Sequence, residues 1–317
     1  MDLKQRSIEF LFSLVLSLVL GKFLIALLRK QSIGQNVSEY GPESHLAKQG
    51  TPTMGGIIIV LALVISSFVF LTWSKELGLV MLSTLGFGLV GFIDDFLMLA
   101  MKKAEGLTPR QKIIMQLVLA VVLTFLIKAY LPEVYGYYKI PFVKDTAYLP
   151  RFSYFLYPLV LIGTVNATNL TDGLDGLLSS VTLAVLAFLY IAAKPMGQLG
   201  TFVVLLAAAI TGFLAYNTNK ASVFMGDTGS MTIGGAVAIL SILTGSVFYL
   251  PIFGIVYVIE AGSVILQILS VKLRNGKRLF LMTPIHHGYE KKGYNEQKIV
   301  TNFTILTLIG VLIAHII

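Results

Sequence analysis

Apolar stretches of roughly 20 residues recur along nearly the whole 317-residue chain, and they constrain its fold more than any other feature. A helix of that length crosses about 30 Å of hydrocarbon. The composition agrees, because 56% of the residues are hydrophobic and only 13% are charged, unlike a soluble domain. The sequence therefore predicts an all-α polytopic membrane protein, formed as a single integral membrane domain over residues 1–317.

About ten transmembrane helices are predicted, an even number that places both chain termini on one side of the membrane. The predicted spans are 8–28, 55–71, 77–100, 113–130, 152–165, 177–193, 199–216, 231–248, 252–272 and 299–317. The segment 131–151 alternates polar and apolar residues and contains aromatic residues and Pro, which is typical of a short hairpin on the membrane surface. We assign no chemistry to this hairpin.

The distribution of Lys and Arg predicts the orientation, since positive residues accumulate in cytoplasmic loops. Alternate loops carry most of the cations, and the opposite side, which includes both termini and the hairpin, carries few. Both termini and the hairpin are therefore expected to be extracytoplasmic. The net charge of +8 agrees with this topology signal and also with attraction to anionic lipids or phosphorylated substrates.

Five of the sixteen acidic residues lie in three short segments at the edges of apolar runs. They are Asp94 and Asp95 in GFIDDF, Asp172 and Asp175 in NATNLTDGLDGL, and Asp227 in FMGDTGS. A carboxylate near the hydrocarbon boundary costs on the order of 2.5–3.5 kcal/mol, so such residues usually serve an ion or phosphate site. The predicted topology places all five at the cytoplasmic face.

Each of these segments also has a simpler explanation. Asp94 and Asp95 are equally well explained as interfacial charges paired with Lys102 or Lys103, and Asp227 alone would be a helix N-cap. NATNLTDGLDGL is expected to form a turn between the fifth and sixth spans, and its many polar groups favour a binding loop over a simple cap. Together the five carboxylates predict an oxygen-rich Mg²⁺ site, with more carboxylates than one ion needs.

The remaining polar segments are less specific. Adjacent His residues in TPIHHGYEKKGY fit either a surface position or a contact with sugar or phosphate, and they do not indicate a metal site. KQGTPTMGG lacks the spacing of a P-loop. Glu260 and Gln267 share one helical face, and Glu260 is interpreted as a structural hydrogen-bond partner. The chain has no Cys, so any metal must have oxygen or imidazole ligands.

KQGTPTMGG, GFIDDF, NATNLTDGLDGL, VFMGDTGS and PIHHGYE, in this order and spacing, resemble the bacterial phospho-N-acetylmuramoyl-pentapeptide transferase family over essentially the whole chain. The related polyprenyl-phosphate N-acetylglucosamine-1-phosphate transferases share the aspartate segments, but TPTMGG and PIHHxxE are more similar to the muramoyl branch. The resemblance implies a ten-helix plasma-membrane enzyme of peptidoglycan biosynthesis with a cytoplasmic active-site cleft. It would move phospho-N-acetylmuramoyl-pentapeptide from UDP-MurNAc-pentapeptide to undecaprenyl phosphate, giving lipid I and UMP.

The resemblance also implies residue roles. Asp227 would be the Mg²⁺ ligand, and Asp94 the base or nucleophile, with Asp95 beside it. The residues implied for substrate binding are Lys48, Thr53, Lys112, Asn166, Asn169, Leu170, Asp172, Asp175, Asn217, Phe224, Gln267, His286 and His287. The family usually has a third successive His where this chain has Gly288, which puts an essential third imidazole in doubt. The expected partners are the two substrates and membrane lipid, with no nucleic acid; a homodimer is left open.

Two mechanisms stay open at this stage, and so do two functions of other classes beside the alternative of a polyprenyl-phosphate N-acetylglucosamine-1-phosphate transferase. The second pKa of a phosphate monoester is about 6, so the lipid phosphate needs little deprotonation, which favours its direct attack with Asp94 aligning or deprotonating it. The alternative is a two-step reaction through an aspartyl-phosphoryl enzyme. A cation-coupled transporter is disfavoured, because its carboxylates would lie at the membrane midplane instead of at helix ends. A scaffold with polar loops is the other alternative.

Overall fold

The computed structural model describes residues 3–30, 50–101 and 106–317, which form a helical bundle with one small hairpin. The helices are α1 Leu3–Lys30, α2 Gly56–Phe70, α3 Lys75–Met101, α4 Pro109–Tyr130, α5 Pro150–Thr171, α6 Leu177–Ala193, α7 Gln198–Asn217, α8 Gly226–Leu243, α9 Leu250–Phe253, α10 Ile255–Leu273, α11 Ile285–Lys291 and α12 Glu296–Ile316. The strands are β1 Tyr137–Lys139 and β2 Thr146–Tyr148.

Each of the ten predicted spans overlaps one helix of 15 or more residues for most of its length, and the ninth also includes the last two residues of the short helix α9. Eight of these helices are long and apolar enough to cross a membrane. The other two are α2, which has 15 residues, and α5, which contains Pro158 and ends in a polar segment. The predicted all-α polytopic membrane class is therefore confirmed.

The helix α8 lies at the centre of the bundle, since every residue from Thr228 to Leu243 is buried. Its first turn is in close contact with glycines of two neighbouring helices. A Cβ atom on Gly56 of α2 would lie 2.1 Å from the amide nitrogen of Gly229, and one on Gly91 of α3 would lie 2.1 Å from the carbonyl oxygen of Asp227. These contacts bring the backbones of α2 and α3 directly against the beginning of α8.

Gly91→Ala tests this helix crossing. The added methyl group must displace the carbonyl of Asp227, so we expect the free energy of unfolding to fall by about 1–3 kcal/mol. Gly78→Ala in the same helix is the matched control, because a Cβ atom there meets no atom within 4 Å in the described structure. It should be neutral or slightly stabilising. Equal stabilities of the two variants in a denaturant titration would contradict the close crossing.

A short backbone pairing joins the segment before α2 to the segment before α8. The Phe224 amide donates to the Pro52 carbonyl at 2.8 Å, and the Gly55 amide donates to the Phe224 carbonyl at 2.8 Å. The Gly56 amide donates to the carbonyl of Met225, also at 2.8 Å. TPTMGG and FMGDTGS, which are far apart in the sequence, therefore meet at one end of the bundle.

The helices α5 and α8, which carry site residues, differ from their predicted bounds by five or six residues. The helix α5 continues six residues beyond the predicted end at 165, so the first half of NATNLTDGLDGL is helical and the expected turn is shorter. The hydroxyls of Thr168 and Thr171 donate to carbonyls four residues earlier, which satisfies these polar groups within the helix. The helix α8 begins at Gly226 and ends at Leu243, five residues earlier at both ends than predicted.

The predicted hairpin is present between α4 and α5. Strands β1 and β2 pair antiparallel, with Tyr138 opposite Ala147. Because α4 and α5 each run the length of the bundle, the hairpin lies at the end opposite to the turn that follows α5. Its position on a membrane surface stays a prediction.

Candidate active site

Three of the five predicted aspartates meet where α3 ends and α8 begins. Each of Asp94, Asp95 and Asp227 contributes one carboxylate oxygen, and these three oxygens lie within 4.8 Å of one another. Asp94 and Asp95 belong to the last two turns of α3, and Asp227 to the first turn of α8. The cluster therefore lies at helix ends, as the sequence predicted.

Lys112 supplies the positive charge of this cluster. Its Nζ atom lies 2.5 Å from Oδ2 of Asp227 and 3.1 Å from Oδ2 of Asp94. Neighbouring carboxylates repel one another unless a cation lies between them, so Lys112 stabilises the pair. The sequence did not predict this contact, and Lys102 and Lys103, which it offered as partners, lie outside the described residues.

Asp95 binds the amino-terminal end of α8. Its Oδ1 accepts from the Asp227 amide at 3.1 Å, and its Oδ2 accepts from the amide and hydroxyl of Thr228 at 2.9 and 2.6 Å. These amides belong to the first turn of a helix, where backbone N–H groups lack helical partners and a negative charge is stabilising. Asp95 therefore holds Asp227 in place through the backbone of α8.

Asn169 orients the Asp227 carboxylate from the other side. Its Nδ2 donates to Oδ1 of Asp227 at 2.7 Å and to the Ser230 hydroxyl at 3.0 Å. Both Asp227 oxygens thus have a donor, Asn169 on one and Lys112 on the other. Asn166, one turn earlier in α5, instead donates to Oε1 of Gln116 at 2.7 Å and so joins α5 to α4.

The turn after α5 places Asp172 beside this cluster. The carboxylate of Asp172 lies near the amide of Gly226. Desolvation and the negative charges of Asp227 and Asp95 raise the pKa of Asp172 well above its usual value. The shift favours the neutral carboxyl, and a cation bound nearby would act in the opposite direction.

Asp175 and Asn217 tie neighbouring loops together. Oδ2 of Asp175 accepts from the Ala221 amide at 3.0 Å. Oδ1 of Asn217 accepts from the Gly176 amide at 3.0 Å, and its Nδ2 donates to the Val223 carbonyl at 3.0 Å. Both side chains are buried. They hold the turn after α5 against the segment that leads to Asp227.

The residues of the cluster fit an oxygen-liganded divalent cation. Asp94 and Asp227 already enclose one positive charge, the Lys112 ammonium group, between carboxylate oxygens. Both Asp95 oxygens accept hydrogen bonds from α8, so Asp94 and Asp227, whose Oδ2 atoms face the Lys112 cation, are the two carboxylates of the cluster that would bind an ion. Mg²⁺ prefers one or two carboxylates together with phosphate oxygens and water, so the donor set suits it.

Comparison with known proteins relates this geometry to a family. Residues 77–245, which contain all five aspartates, match the model of glycosyl transferase family 4, and residues 48–60 match phospho-N-acetylmuramoyl-pentapeptide-transferase signature 1. The phospho-N-acetylmuramoyl-pentapeptide-transferase of Thermoanaerobacter sp. (strain X514) is 46% identical over 302 residues, or 95% of this chain and 94% of the relative. The chain belongs to the phospho-N-acetylmuramoyl-pentapeptide transferase family.

Two further relatives in this family cover the chain equally well. The protein of Caldanaerobacter subterraneus subsp. tengcongensis is 44% identical over 306 residues, which is 96% of both chains. That of Clostridium perfringens (strain 13 / Type A) is 44% identical over 308 residues, which is 95% of both chains. The family resemblance predicted from the five segments is thereby confirmed.

In this transferase, the histidine segment lies against the turn after α5. His286 is 0% exposed, and its Nδ1 lies 3.0 Å from Oε2 of Glu260, whose side chain is also buried. A Cβ atom on Gly173 would lie 2.0 Å from Nε2 of His286, so the imidazole packs directly on that turn. His287 pairs with Glu290, with Nδ1 and Oε2 2.7 Å apart. The sequence did not reveal the pairing of Glu260 with His286; substrate contact by His286 stays a prediction.

The other predicted substrate residues have varied surroundings. Gln267 is engaged by the backbone, since its Oε1 accepts from the Leu279 and Phe280 amides, both at 2.9 Å. Thr53 is buried beside Gly226. Leu170 and Phe224 are half-buried. Lys48 lies outside the described residues.

Sequence reasoning missed two residues that shape the cluster. The hydroxyl of Thr228 binds Asp95, and that of Ser230 binds Asn169. Both follow Asp227 at the start of α8. Their closeness to Asp227 in the sequence was the only sign that they could belong to the cluster. Their partners come from α3 and α5, which no local pattern relates to α8.

Asp95→Asn tests the role of Asp95 at α8. The change removes a negative charge from a helix amino terminus and replaces one acceptor oxygen by a donor, so we expect the free energy of unfolding to fall by about 1–3 kcal/mol. A denaturant titration measures it, with Asp145→Asn in the exposed hairpin loop as the control. If both variants were as stable as the original protein, Asp95 would not be holding α8.

Proposed function

We propose that the chain transfers phospho-N-acetylmuramoyl-pentapeptide from UDP-MurNAc-pentapeptide to undecaprenyl phosphate, giving lipid I and UMP. The observation that carries this proposal is the cluster of Asp94, Asp227 and Lys112, found in a chain that is 46% identical to a named phospho-N-acetylmuramoyl-pentapeptide-transferase. Its position at the ends of apolar helices is suited to a reaction that joins a water-soluble substrate to a lipid.

The chemistry begins with charge neutralisation, because both substrates are phosphate anions. Asp94 and Asp227 would hold Mg²⁺, which supplies a Lewis acid for the pyrophosphate oxygens. Lys112 adds a second positive charge at the same place. Asp95 and Asn169 keep Asp227 in one orientation, and such positioning of reactants recovers roughly 7–11 kcal/mol of barrier in well-oriented reactions.

We propose direct attack by the lipid phosphate. Its oxygen forms a new bond to the sugar-bearing phosphorus of the nucleotide sugar, while the bond from that phosphorus to UMP breaks. In this scheme Asp94 aligns the acceptor and is not the nucleophile. Its carboxylate is already paired with Lys112 and accepts from the Leu107 amide at 2.9 Å, so it is not free to attack the substrate. Isolation of an enzyme carrying phosphoryl-MurNAc-pentapeptide, formed without lipid acceptor, would establish the two-step alternative instead.

The predicted nucleotide-sugar residues divide into two groups by their surroundings. We propose that those with accessible side chains contact the substrate and that those engaged by protein groups shape the cleft. The contacting group is Leu170, Asp172 and Phe224, together with His287, whose partly exposed ring also pairs with Glu290. Lys48 lies outside the described residues, and its contact with substrate stays a prediction. The shaping group is Thr53, Asn166, Asp175, Asn217, Gln267 and His286.

The orientation is part of this proposal, with the cluster on the cytoplasmic side of the plasma membrane and both termini extracytoplasmic. The distribution of Lys and Arg supports it. Because the chain has no Cys, a single introduced Cys is a unique probe. In intact cells a membrane-impermeant thiol reagent should label Asp145→Cys and leave Lys277→Cys unlabelled. The reverse pattern would invert the topology.

One assay tests the proposed reaction. Purified protein supplied with undecaprenyl phosphate and Mg²⁺ should release UMP from UDP-MurNAc-pentapeptide. Release from UDP-N-acetylglucosamine alone would favour the related N-acetylglucosamine-1-phosphate transferase. Release from neither substrate would contradict both.

A further inference from the structure

A second polar pocket lies at the hairpin end of the bundle, where α4 ends and α5 begins. It has a volume of about 370 Å³, and its lining includes Lys128, Arg151, Tyr135, Tyr148 and Tyr154. Lys112 and Lys128 lie sixteen residues apart in α4, so the pocket is roughly 24 Å along the helix from the aspartate cluster. It is a separate site from that cluster.

The polar groups of this pocket suit an anion. Lys128 and Arg151 are exposed cations, and none of the described residues that line the pocket is acidic. The Lys128 ammonium group donates to the Tyr154 hydroxyl and lies 5.1 Å from the centroid of that ring. Two positive charges and several hydroxyl donors therefore face one space.

Tyr135 adds a buried donor to the pocket. The residue is 4% exposed, and its hydroxyl is close to that of Tyr154 but forms no hydrogen bond of regular geometry with any described residue. Burial raises the pKa of Tyr135, so the hydroxyl keeps its proton. A buried donor without a regular partner is costly and is expected to bind a ligand oxygen.

Apolar side chains on the outer surface continue from this pocket along α4 and α5. Phe125, Phe155 and Leu159 are exposed, with Phe155 at 67%. The Phe125 ring lies 5.7 Å from the ring of Tyr154, which joins the apolar surface to the pocket. In a protein whose helices cross a membrane, such a surface contacts acyl chains, so the anion would carry an apolar tail.

We propose that this pocket binds the phosphate headgroup of an anionic membrane lipid. Lys128 and Arg151 neutralise the phosphate, the tyrosine hydroxyls donate to its oxygens, and the acyl chains lie on α4 and α5. The pocket is independent of the proposed transferase reaction.

Lipid binding by the full-length protein in detergent tests the proposal. Native mass spectrometry would follow titration with dioctanoyl-phosphatidylglycerol, dioctanoyl-phosphatidylcholine and glycerol phosphate. Phosphatidylglycerol should bind more tightly than the other two. Removing both cations in Lys128→Gln/Arg151→Gln should weaken its binding on the order of 30-fold. Tyr135→Phe, which removes one hydroxyl, should weaken it about fivefold.

The matched control is Lys75→Gln/Lys194→Gln, which removes two exposed cations from the same end of the bundle but outside the pocket. It should bind phosphatidylglycerol as the original protein does. An equal loss in this control would indicate diffuse charge attraction and overturn the site. Unchanged binding by the pocket variant, or equal binding of phosphatidylcholine, would also overturn it. Equally tight binding of glycerol phosphate would assign the pocket to a soluble anion instead.

Discussion

Asp227→Asn is expected to lower UMP release from UDP-MurNAc-pentapeptide on the order of a thousandfold. The carboxylate of Asp227 binds Lys112 at 2.5 Å and Asn169 at 2.7 Å, and it is one of two that would hold Mg²⁺. Asparagine keeps the shape but removes the negative charge, so both the bound cation and the position of Lys112 are lost. The rate of UMP release at saturating substrates measures the effect.

The control for this prediction separates chemistry from folding. Asp145→Asn makes the same chemical change in the exposed hairpin loop and should leave the rate unchanged. The melting temperature of Asp227→Asn shows whether the protein is still folded. A folded Asp227→Asn protein that retains more than about a tenth of the original rate would favour the scaffold alternative.

Lys112→Gln is expected to lower kcat on the order of a hundredfold. The change leaves Asp94 and Asp227 without their shared counter-charge and removes a cation that would contact the transferred phosphate. The Mg²⁺ concentration for half-maximal activity should fall at the same time, because the ammonium group no longer competes for the two carboxylates. A Mg²⁺ titration of UMP release gives both quantities.

Arg110→Gln is the matched control, since Arg110 is an exposed cation two positions earlier in the same helix. It should change neither quantity substantially. A Lys112→Gln protein with normal kcat would show that Lys112 is only a structural partner of the aspartates. A raised Mg²⁺ requirement would contradict competition between the ammonium group and the metal.

Local patterns predicted the helices well and their polar ends poorly. An apolar run must be long enough to cross the hydrocarbon, so its length indicates each span without knowledge of the neighbouring helices. The same reasoning ended α5 at residue 165, where the apolar run stops. The helix continues to Thr171, because hydroxyls such as that of Thr168 are satisfied within it.

The roles within the site depended on contacts between distant residues. Asp94 and Asp95 are adjacent in the sequence and equally acidic, yet one pairs with Lys112 and the other binds the start of α8, 132 residues away. A side chain's partner is decided by how α3, α4 and α8 cross, which depends on contacts such as Gly91 against Asp227. His286 is another example, since its partner Glu260 comes from a different helix.

The sequence by itself determined the membrane class, the positions of the spans and the family, because apolar length and ordered motifs are local properties. It also indicated which aspartates matter, since a carboxylate beside hydrocarbon is costly unless it has a partner or a ligand. Only the tertiary structure decided which carboxylates face a cation, which one holds a helix end, and which predicted substrate residues are already engaged by protein groups. Those assignments depend on contacts of about 3 Å between atoms of different helices, and the residue pattern of a single segment does not predict such contacts.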